Sequence, residues 1–167
     1  YRVYDDFATT NNLHTLWSVA DELDRPCLIT FADIICSPEV FKKAISSDGL
    51  FTLLVRRDVR ENTMRVRFNG PFIAEVGSHI SLRDGQGIFL GIAAVNKEGT
   101  YLLKPQLTQL ATSAGHESDY WTSAINVLAA SGIFVCALSI NNFWIEVDTP
   151  EDLAFARSLF SGSAKTA

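Results

Sequence analysis

The chain has 167 residues, of which 47% are hydrophobic and 20% are charged, a composition typical of one globular domain with a full core. The net charge of −5 and the lack of a basic patch argue against nucleic-acid binding and are compatible with a metal-dependent site or a cationic ligand. No apolar run approaches the roughly 20 residues that a membrane-spanning helix needs, so we expect no membrane partner.

Three cysteines, Cys27, Cys36 and Cys136, lie in or beside apolar runs and show no Cys-x-x-Cys spacing. This placement favours buried thiols in a reducing compartment, and a metal or catalytic role is the alternative. Asp5 and Asp6 stand where a signal peptide would have its apolar core. We therefore expect a cytoplasmic protein.

Apolar runs and helical periodicities alternate along the first part of the chain. They predict, in order, a helix at residues 10–23, a strand at 27–32, a helix at 38–45, a strand at 50–55, a charged loop at 56–62 and a strand at 64–68. Asn69-Gly70 then predicts a two-residue hairpin turn. The three arginines of the charged loop suit phosphate, but a solvated loop is the simpler interpretation.

The second part continues the alternation. It predicts strands at residues 71–76, 88–95, 133–140 and 143–147, and helices at 100–111, 119–130 and 150–160. Gly91 lies inside a predicted strand, where a glycine often marks a bulge or the close approach of a ligand. Strands that alternate with helices predict an α/β layered domain with a mostly parallel sheet.

Two predicted strands end in a carboxylate. Asp33 follows the strand at 27–32, and Asp148 follows the strand at 143–147 directly before a helix. Thr149 and Asp152 have the spacing of a capping box at the start of that helix, with Pro150 in its first turn. In open α/β sheets ligands bind at the carboxyl ends of strands, so these two carboxylates are candidates to share a metal ion.

The order of these motifs resembles a known family. Thr10-Asn11-Asn12 before a helix, an apolar strand that ends in Asp33, an arginine-containing loop, an Asn-Gly hairpin, and the stretch from Trp144 to Leu153 occur in that order. The chain is similar to the nucleotidyltransferase superfamily, which has a Rossmann-like three-layer α/β sandwich with a mixed sheet. Within it, the chain looks most like small cytidylyltransferases that act on phosphocholine or 2-aminoethylphosphonate.

The resemblance implies a Mg²⁺-dependent transferase. In that family a phosphorylated small molecule reacts with a nucleoside triphosphate and pyrophosphate is released, and the matching positions Asp33 and Asp148 would hold Mg²⁺. Mg²⁺ prefers carboxylate oxygens and bridges phosphates, so a pair of aspartates suits this chemistry. The implied partners are CTP or another nucleoside triphosphate and a phosphorylated small molecule.

Further residues are candidates for substrate contacts. The resemblance gives this role to Asn11 and Asn12, for which helix capping is the alternative. Glu146 lies two residues before Asp148, so on a strand both point to the same face, and a solvated carboxylate is its alternative. An acidic and aromatic lining for a quaternary ammonium group is predicted from Asp119, Tyr120, Trp121 and Trp144, with core packing as the alternative for the two tryptophans.

The sequence departs from the family at two places. The 167 residues include no Gly-rich phosphate-binding loop of the kind with which the family opens, which is expected of a fragment of a longer protein or of a shortened relative that has lost nucleotide binding. In addition, Phe31 stands where some relatives carry an additional aspartate. We therefore expect a domain at residues 1–160 that resembles the later part of the family, followed by a flexible tail at 161–167. A truncated sheet would leave an exposed edge that favours pairing with another chain, including a second copy.

The leading hypothesis is therefore cytidylyl transfer from CTP to phosphocholine or aminoethylphosphonate. A sugar-1-phosphate nucleotidyltransferase and a non-catalytic relative that binds a small molecule or a partner are the alternatives.

Overall fold

The computed structural model describes residues 2–161, and the predicted tail beyond Ser161 lies outside the described residues. The strands are β1 (Cys27–Thr30), β2 (Ile34–Cys36), β3 (Phe51–Arg56), β4 (Arg65–Asn69), β5 (Phe72–Gly77), β6 (Ile88–Val95), β7 (Val135–Ser139) and β8 (Trp144–Glu146). The helices are α1 (Asn12–Trp17), α2 (Pro38–Ile45), α3 (Lys97–Ala111), α4 (Thr122–Ala130) and α5 (Pro150–Ser161). Short 3-10 turns cover Asp5–Ala8 and Ala20–Glu22. No helix within residues 2–161 is both long and apolar enough to cross a membrane.

The main sheet has six strands in the order β1-β6-β3-β7-β5-β4. It is mixed, as predicted, but the expectation of mostly parallel neighbours is wrong. Of the pairings in the described residues only β3 with β7 is parallel, whereas β6 runs antiparallel to both β1 and β3. The chain reaches β6 from β3 through a hairpin and loops instead of a helix, so no crossover forces β6 to be parallel.

Helices cover both faces of this sheet, which confirms the layered α/β class. One core packs α1, α3 and α4 against sheet residues such as Phe51 and Leu53. The other core packs α2 against Leu54, Leu90 and neighbouring residues. Successive β3 residues alternate between the two cores because side chains of a strand point to opposite faces.

A second, two-stranded sheet pairs β2 with β8 in antiparallel orientation. The sequence predicted β8 but not β2, since only three residues lie between Asp33 and Ser37. Ile34 pairs with Glu146, and the Val147 backbone N–H donates to the Asp33 carbonyl at 2.9 Å. This small sheet therefore joins the two segments that carry the strand-end carboxylates.

Gly91 lies in β6, at the irregularity where the pairing of β6 with β3 shifts register between Leu53 and Val55, and it faces the segment that joins β1 to β2. Its φ is +70°, and a Cβ at this position would lie 2.6 Å from Ile34 Cδ1 and 2.7 Å from Phe31 Cδ2. The Phe31 backbone N–H also donates to the Gly91 carbonyl at 2.9 Å. The glycine therefore accommodates the Phe31 ring, which answers the sequence hypothesis of a bulge or a close approach.

Two helices differ in extent from the prediction. The helix expected at residues 10–23 is α1, capped at its start by Asn11, followed by a separate 3-10 turn. Helix α3 begins earlier than predicted, because the Asn96 side chain accepts a hydrogen bond from Gly99 N–H at 2.8 Å. The predicted hairpin is confirmed, but its turn lies one residue later than predicted: Asn69 ends β4 and pairs with Phe72, so Gly70, at φ +60°, and Pro71 form the turn.

Candidate functional site

Three carboxylates meet at the junction of β1, β2 and β8. One oxygen from each of Asp33, Glu146 and Asp148 lies within 4.8 Å of the other two. The pairing of β2 with β8 produces this proximity, because it places the residue before Ile34 beside the end of β8. The sequence placed Asp33 and Asp148 at strand ends and Glu146 on the same face as Asp148, and the structure brings all three into one cluster.

The negative charges of the three carboxylates repel one another. The pKa of Glu146 is raised to about 7, first by burial and then by the neighbouring charges of Asp148, Asp33 and Asp152. Burial, followed by Asp33 and Asp152, also raises the pKa of Asp148. Clustered anions of this kind are relieved by a cation, and oxygen ligands are those that Mg²⁺ prefers. The donor set therefore fits a hard divalent metal.

A capping box fixes the backbone directly after Asp148. Asp152 Oδ2 accepts hydrogen bonds from Thr149 N–H at 2.9 Å and from Thr149 Oγ1 at 2.8 Å, and also from Asp148 N–H at 3.2 Å. In return, Asp152 N–H donates to Thr149 Oγ1 at 3.1 Å. The predicted capping box is confirmed, and these hydrogen bonds lower the pKa of Asp152.

The carboxylate cluster lines a cleft of about 600 Å³. Seven of the nine predicted site residues line it, namely Asn11, Asn12, Asp33, Tyr120, Trp121, Glu146 and Asp148. The cleft is also lined by residues that the sequence analysis did not select, and these include Arg2, Tyr4, Asn62, Thr63 and Ser78. Asn62 carries one signal of a special position, a positive φ of 54°, and this is visible only in the structure.

Asn11 and Asn12 line the cleft and also hold its scaffold. Asn12 Oδ1 accepts from Trp121 N–H at 2.9 Å, which ties α1 to the segment before α4. Asn11 Oδ1 accepts from Asn12 N–H at 2.7 Å, and Asn11 Nδ2 donates to the Ser118 carbonyl at 3.2 Å. The two asparagines therefore cap and cross-link this side of the cleft.

The two aromatic residues before α4 differ in exposure. The Tyr120 side chain is partly exposed and its ring lies 6.4 Å from the Phe31 ring. Trp121 is only 2% exposed, and its ring packs edge-on against Phe89 at 6.0 Å. Within residues 2–161, buried Trp121 Nε1 has no hydrogen-bond partner. Tyr120 therefore offers an aromatic face to the cleft, whereas the indole of Trp121 belongs mainly to the core.

Asp119 and Trp144 lie outside the cleft lining, which corrects their predicted place in one acidic and aromatic lining. The Asp119 carboxylate lies 2.9 Å from His116 Nδ1. Trp144 is buried and donates its Nε1–H to the Leu90 carbonyl at 3.0 Å. A buried indole with a satisfied N–H is stable in a core, and no local sequence pattern distinguishes it from a ligand-binding one.

The charged loop contributes no cation to the cleft. Arg56 and Arg60 pair with Asp58, at 3.4 Å and 2.7 Å, and the Arg57 guanidinium lies 4.0 Å from the centre of the Phe68 ring. Phosphate contacts from these arginines thus have no support from the cleft geometry, and the solvated loop is the better interpretation.

Comparisons with known proteins show which proteins this chain is similar to. No protein-family model matches the chain. A curated bifunctional IPC transferase and DIPP synthase from Rubrobacter xylanophilus is 29% identical over 145 residues, which cover 82% of this chain and 30% of that protein. The chain therefore spans less than a third of the curated relative that it matches.

Solved structures give the fold. The inositol-1-phosphate CTP transferase of T. maritima superposes with a TM-score of 0.74 at 16% identity, covering 99% of this chain and 67% of that one. The CTP:phosphocholine cytidylyltransferase of Streptococcus pneumoniae gives 0.72 at 16% identity, covering 93% and 66%. A putative glucose-1-phosphate thymidylyltransferase from Bacillus anthracis gives 0.71 at 16% identity, covering 95% and 63%.

These similarities define the class of architecture. The chain has the mixed-sheet Rossmann-like fold of nucleotidyltransferases. The similar structures include proteins that use CTP, so the resemblance found from the sequence motifs is confirmed at the level of the fold.

Proposed function

We propose that this chain supplies the metal and acceptor side of a Mg²⁺-dependent cytidylyltransferase. The carrying observation is the cluster of Asp33, Glu146 and Asp148, whose oxygens lie within 4.8 Å of one another at the edge of a large cleft. The fold, and the CTP-dependent enzymes among the similar proteins, support cytidylyl transfer over other chemistry of paired carboxylates.

In the proposed reaction, a phosphate oxygen of the acceptor attacks the α-phosphorus of CTP. A new oxygen–phosphorus bond forms, the bond from that phosphorus to the bridging oxygen breaks, and pyrophosphate leaves. Asp33, Glu146 and Asp148 would hold Mg²⁺, which when bound neutralises phosphate charge at the reaction centre. The capping box of Thr149 and Asp152 orients the backbone that carries Asp148.

The acceptor is proposed to be a phosphorylated small molecule, and the cleft favours one rich in hydroxyl groups. Asn62, Thr63 and Ser78, together called the polar wall below, line the cleft, and their side chains carry amide and hydroxyl groups. Such groups match the hydroxyls of a cyclitol or sugar phosphate. Names of similar proteins, inositol-1-phosphate CTP transferase and IPC transferase, point the same way.

Phosphocholine is the second acceptor candidate, because Tyr120 and Tyr4 also line the cleft. Aromatic faces attract quaternary ammonium groups. This candidate is weaker, since Asp119 and Trp144 do not complete the predicted lining.

Metal binding tests the core of the proposal. Mn²⁺, titrated as a paramagnetic substitute for Mg²⁺, should bind the wild-type chain, and Asp148→Asn should weaken binding at least about tenfold by removing a charged ligand. Asp24→Asn is the matched control, because that side chain is 71% exposed beside Arg25. Equal affinities for the two variants would remove Asp148 from the site.

Pyrophosphate release tests the reaction. CTP and Mg²⁺ are supplied with inositol 1-phosphate or phosphocholine, and we expect faster release with inositol 1-phosphate. Acceptor and metal binding without release would support the non-catalytic alternative. A preference for phosphocholine would favour the second acceptor candidate.

A further inference from the structure

Arg65 is a buried cation whose partners are backbone carbonyls. Its side chain is 9% exposed. The guanidinium donates to the carbonyls of Arg60 at 2.9 Å, Ser78 at 2.7 Å and Ile80 at 2.5 Å. Among the ion pairs of residues 2–161, none includes Arg65. A buried charge is costly unless its hydrogen bonds are satisfied, and here three carbonyls from two loops satisfy it.

These carbonyls belong to two loops that have few buried side chains. The loop between β3 and β4 contains no buried side chain from residue 57 to residue 62. In the loop after β5, Ser78 and His79 are exposed, and the Ile80 side chain is buried. The first loop is therefore held by polar contacts, and the second is held by Ile80 together with polar contacts; in both loops the buried Arg65 fork supplies one of these contacts.

The same loops carry the polar wall of the cleft. Asn62 and Thr63 lie next to Arg60 in the chain, and Thr63 Oγ1 donates to the Arg60 carbonyl that Arg65 also binds, at 3.1 Å. Ser78 lines the cleft and gives its own carbonyl to Arg65. Arg65 itself does not line the cleft. Its influence on a ligand must therefore pass through the wall that it holds.

We propose that Arg65 is a positioning residue that sets the polar wall and so determines how the cleft binds the hydroxyl-bearing part of the acceptor. The proposal rests on the proposed function, because it takes the occupant of the cleft to be a hydroxyl-rich phosphorylated molecule. The planar guanidinium, with several N–H donors in one fixed arrangement, is essential to this role. A lysine would keep the charge but present one ammonium group, which cannot reach three carbonyls in the arrangement that a guanidinium spans.

The test compares Arg65→Lys with Arg67→Lys. Arg67 is on the same strand, but it is exposed and pairs with Glu75 instead of the cleft loops. Inositol 1-phosphate is titrated into each variant, and we expect Arg65→Lys to lose about tenfold in affinity, the equivalent of one or two hydrogen bonds. Mn²⁺ affinity should be unchanged in both variants, because the carboxylate cluster lies on other strands.

Backbone order parameters from NMR relaxation give the second measurement. Residues 60–63 and 78–80 should have lower order parameters in Arg65→Lys than in Arg67→Lys, while those of β3 stay high. Equal inositol 1-phosphate affinities for the two variants, or equal order parameters of the two loops, would overturn the role of Arg65. A wild-type chain that binds Mn²⁺ but not inositol 1-phosphate would overturn it as well. Failure of the wild type to bind Mn²⁺ would instead overturn the proposed metal site, and the order parameters would still decide whether Arg65 holds the loops.

Discussion

Asp33 and Val147 are joined by a backbone hydrogen bond of 2.9 Å, from the N–H of Val147 to the carbonyl of Asp33. This bond extends the ladder in which Ile34 pairs with Glu146. It fixes two segments that are far apart in the chain so that their carboxylates form one cluster. The candidate metal site is therefore a product of strand pairing, and its geometry should respond to changes in the small sheet.

The stability of the metal-free chain should fall as the pH rises through the range in which Glu146 ionises. The folded pKa of Glu146 is about 7, above its ordinary value of 4.5. The folded state therefore holds a proton that the unfolded state has lost between these values, and this contribution to stability disappears as the pH passes 7. Glu146→Gln should be more stable than the wild type at pH 8, by about 2 kcal/mol, and the difference should vanish near pH 4.5.

Urea unfolding at pH 4.5 and pH 8 measures this effect, with Glu151→Gln as the control on the exposed first turn of α5. Adding Mg²⁺ at pH 8 should stabilise the wild type more than Glu146→Gln, because a bound ligand stabilises only the state that binds it. A wild type whose stability relative to Glu146→Gln is independent of pH would contradict the raised pKa.

Gly91→Ala should destabilise the chain more than Gly70→Ala. Both glycines have a positive φ, but a Cβ at Gly70 would meet nothing within 4 Å, whereas one at Gly91 would meet Phe31 and Ile34. Gly70→Ala therefore measures backbone strain alone, about 1 kcal/mol, and Gly91→Ala should cost about 2 kcal/mol more through steric overlap.

Thermal or urea unfolding of both variants gives the difference. Mn²⁺ affinity should also fall in Gly91→Ala, because a displaced Phe31 shifts the segment that carries Asp33. Equal destabilisation of the two variants would show that the contact with Phe31 imposes no steric demand.

Trp144→Phe should lower stability without changing ligand binding. It removes the donor to the Leu90 carbonyl, and loss of a buried partner costs about 1–3 kcal/mol. Tyr120→Ala should weaken phosphocholine binding with little loss of stability, because its partly exposed ring lines the cleft.

Unfolding and phosphocholine titration of both variants separate these effects. Weaker phosphocholine binding by Trp144→Phe, at unchanged Mn²⁺ affinity, would restore the ligand-binding interpretation of Trp144.

Much of the fold followed from short-range signals. Three features depend on neighbours within a few residues: the hairpin after Asn69, the capping box of Thr149 and Asp152, and the buried strand that became β6. Such preferences are local, so the sequence reveals them. The helix start at Asn96 was missed, although its cap is also local, because the predicted helix began only where its apolar period was clear.

Strand direction and the residues that line the cleft could not be predicted from such local signals. The sequence suggested parallel neighbours, and it grouped Trp144 with Tyr120 as one lining. Both inferences fail for the same reason, because strand order and burial depend on hydrogen bonds and contacts between segments far apart in the chain.

The sequence alone predicted that Asp33 and Asp148 follow apolar strands. It also predicted the capping box beside Asp148. Only the tertiary structure brought Asp33 beside Glu146 and Asp148, through the pairing of β2 with β8, and only it placed the polar wall in the same cleft as the carboxylates. The difference has one physical origin. Propensity and capping act over a few residues, whereas a site is assembled by the burial and backbone pairing of the whole domain.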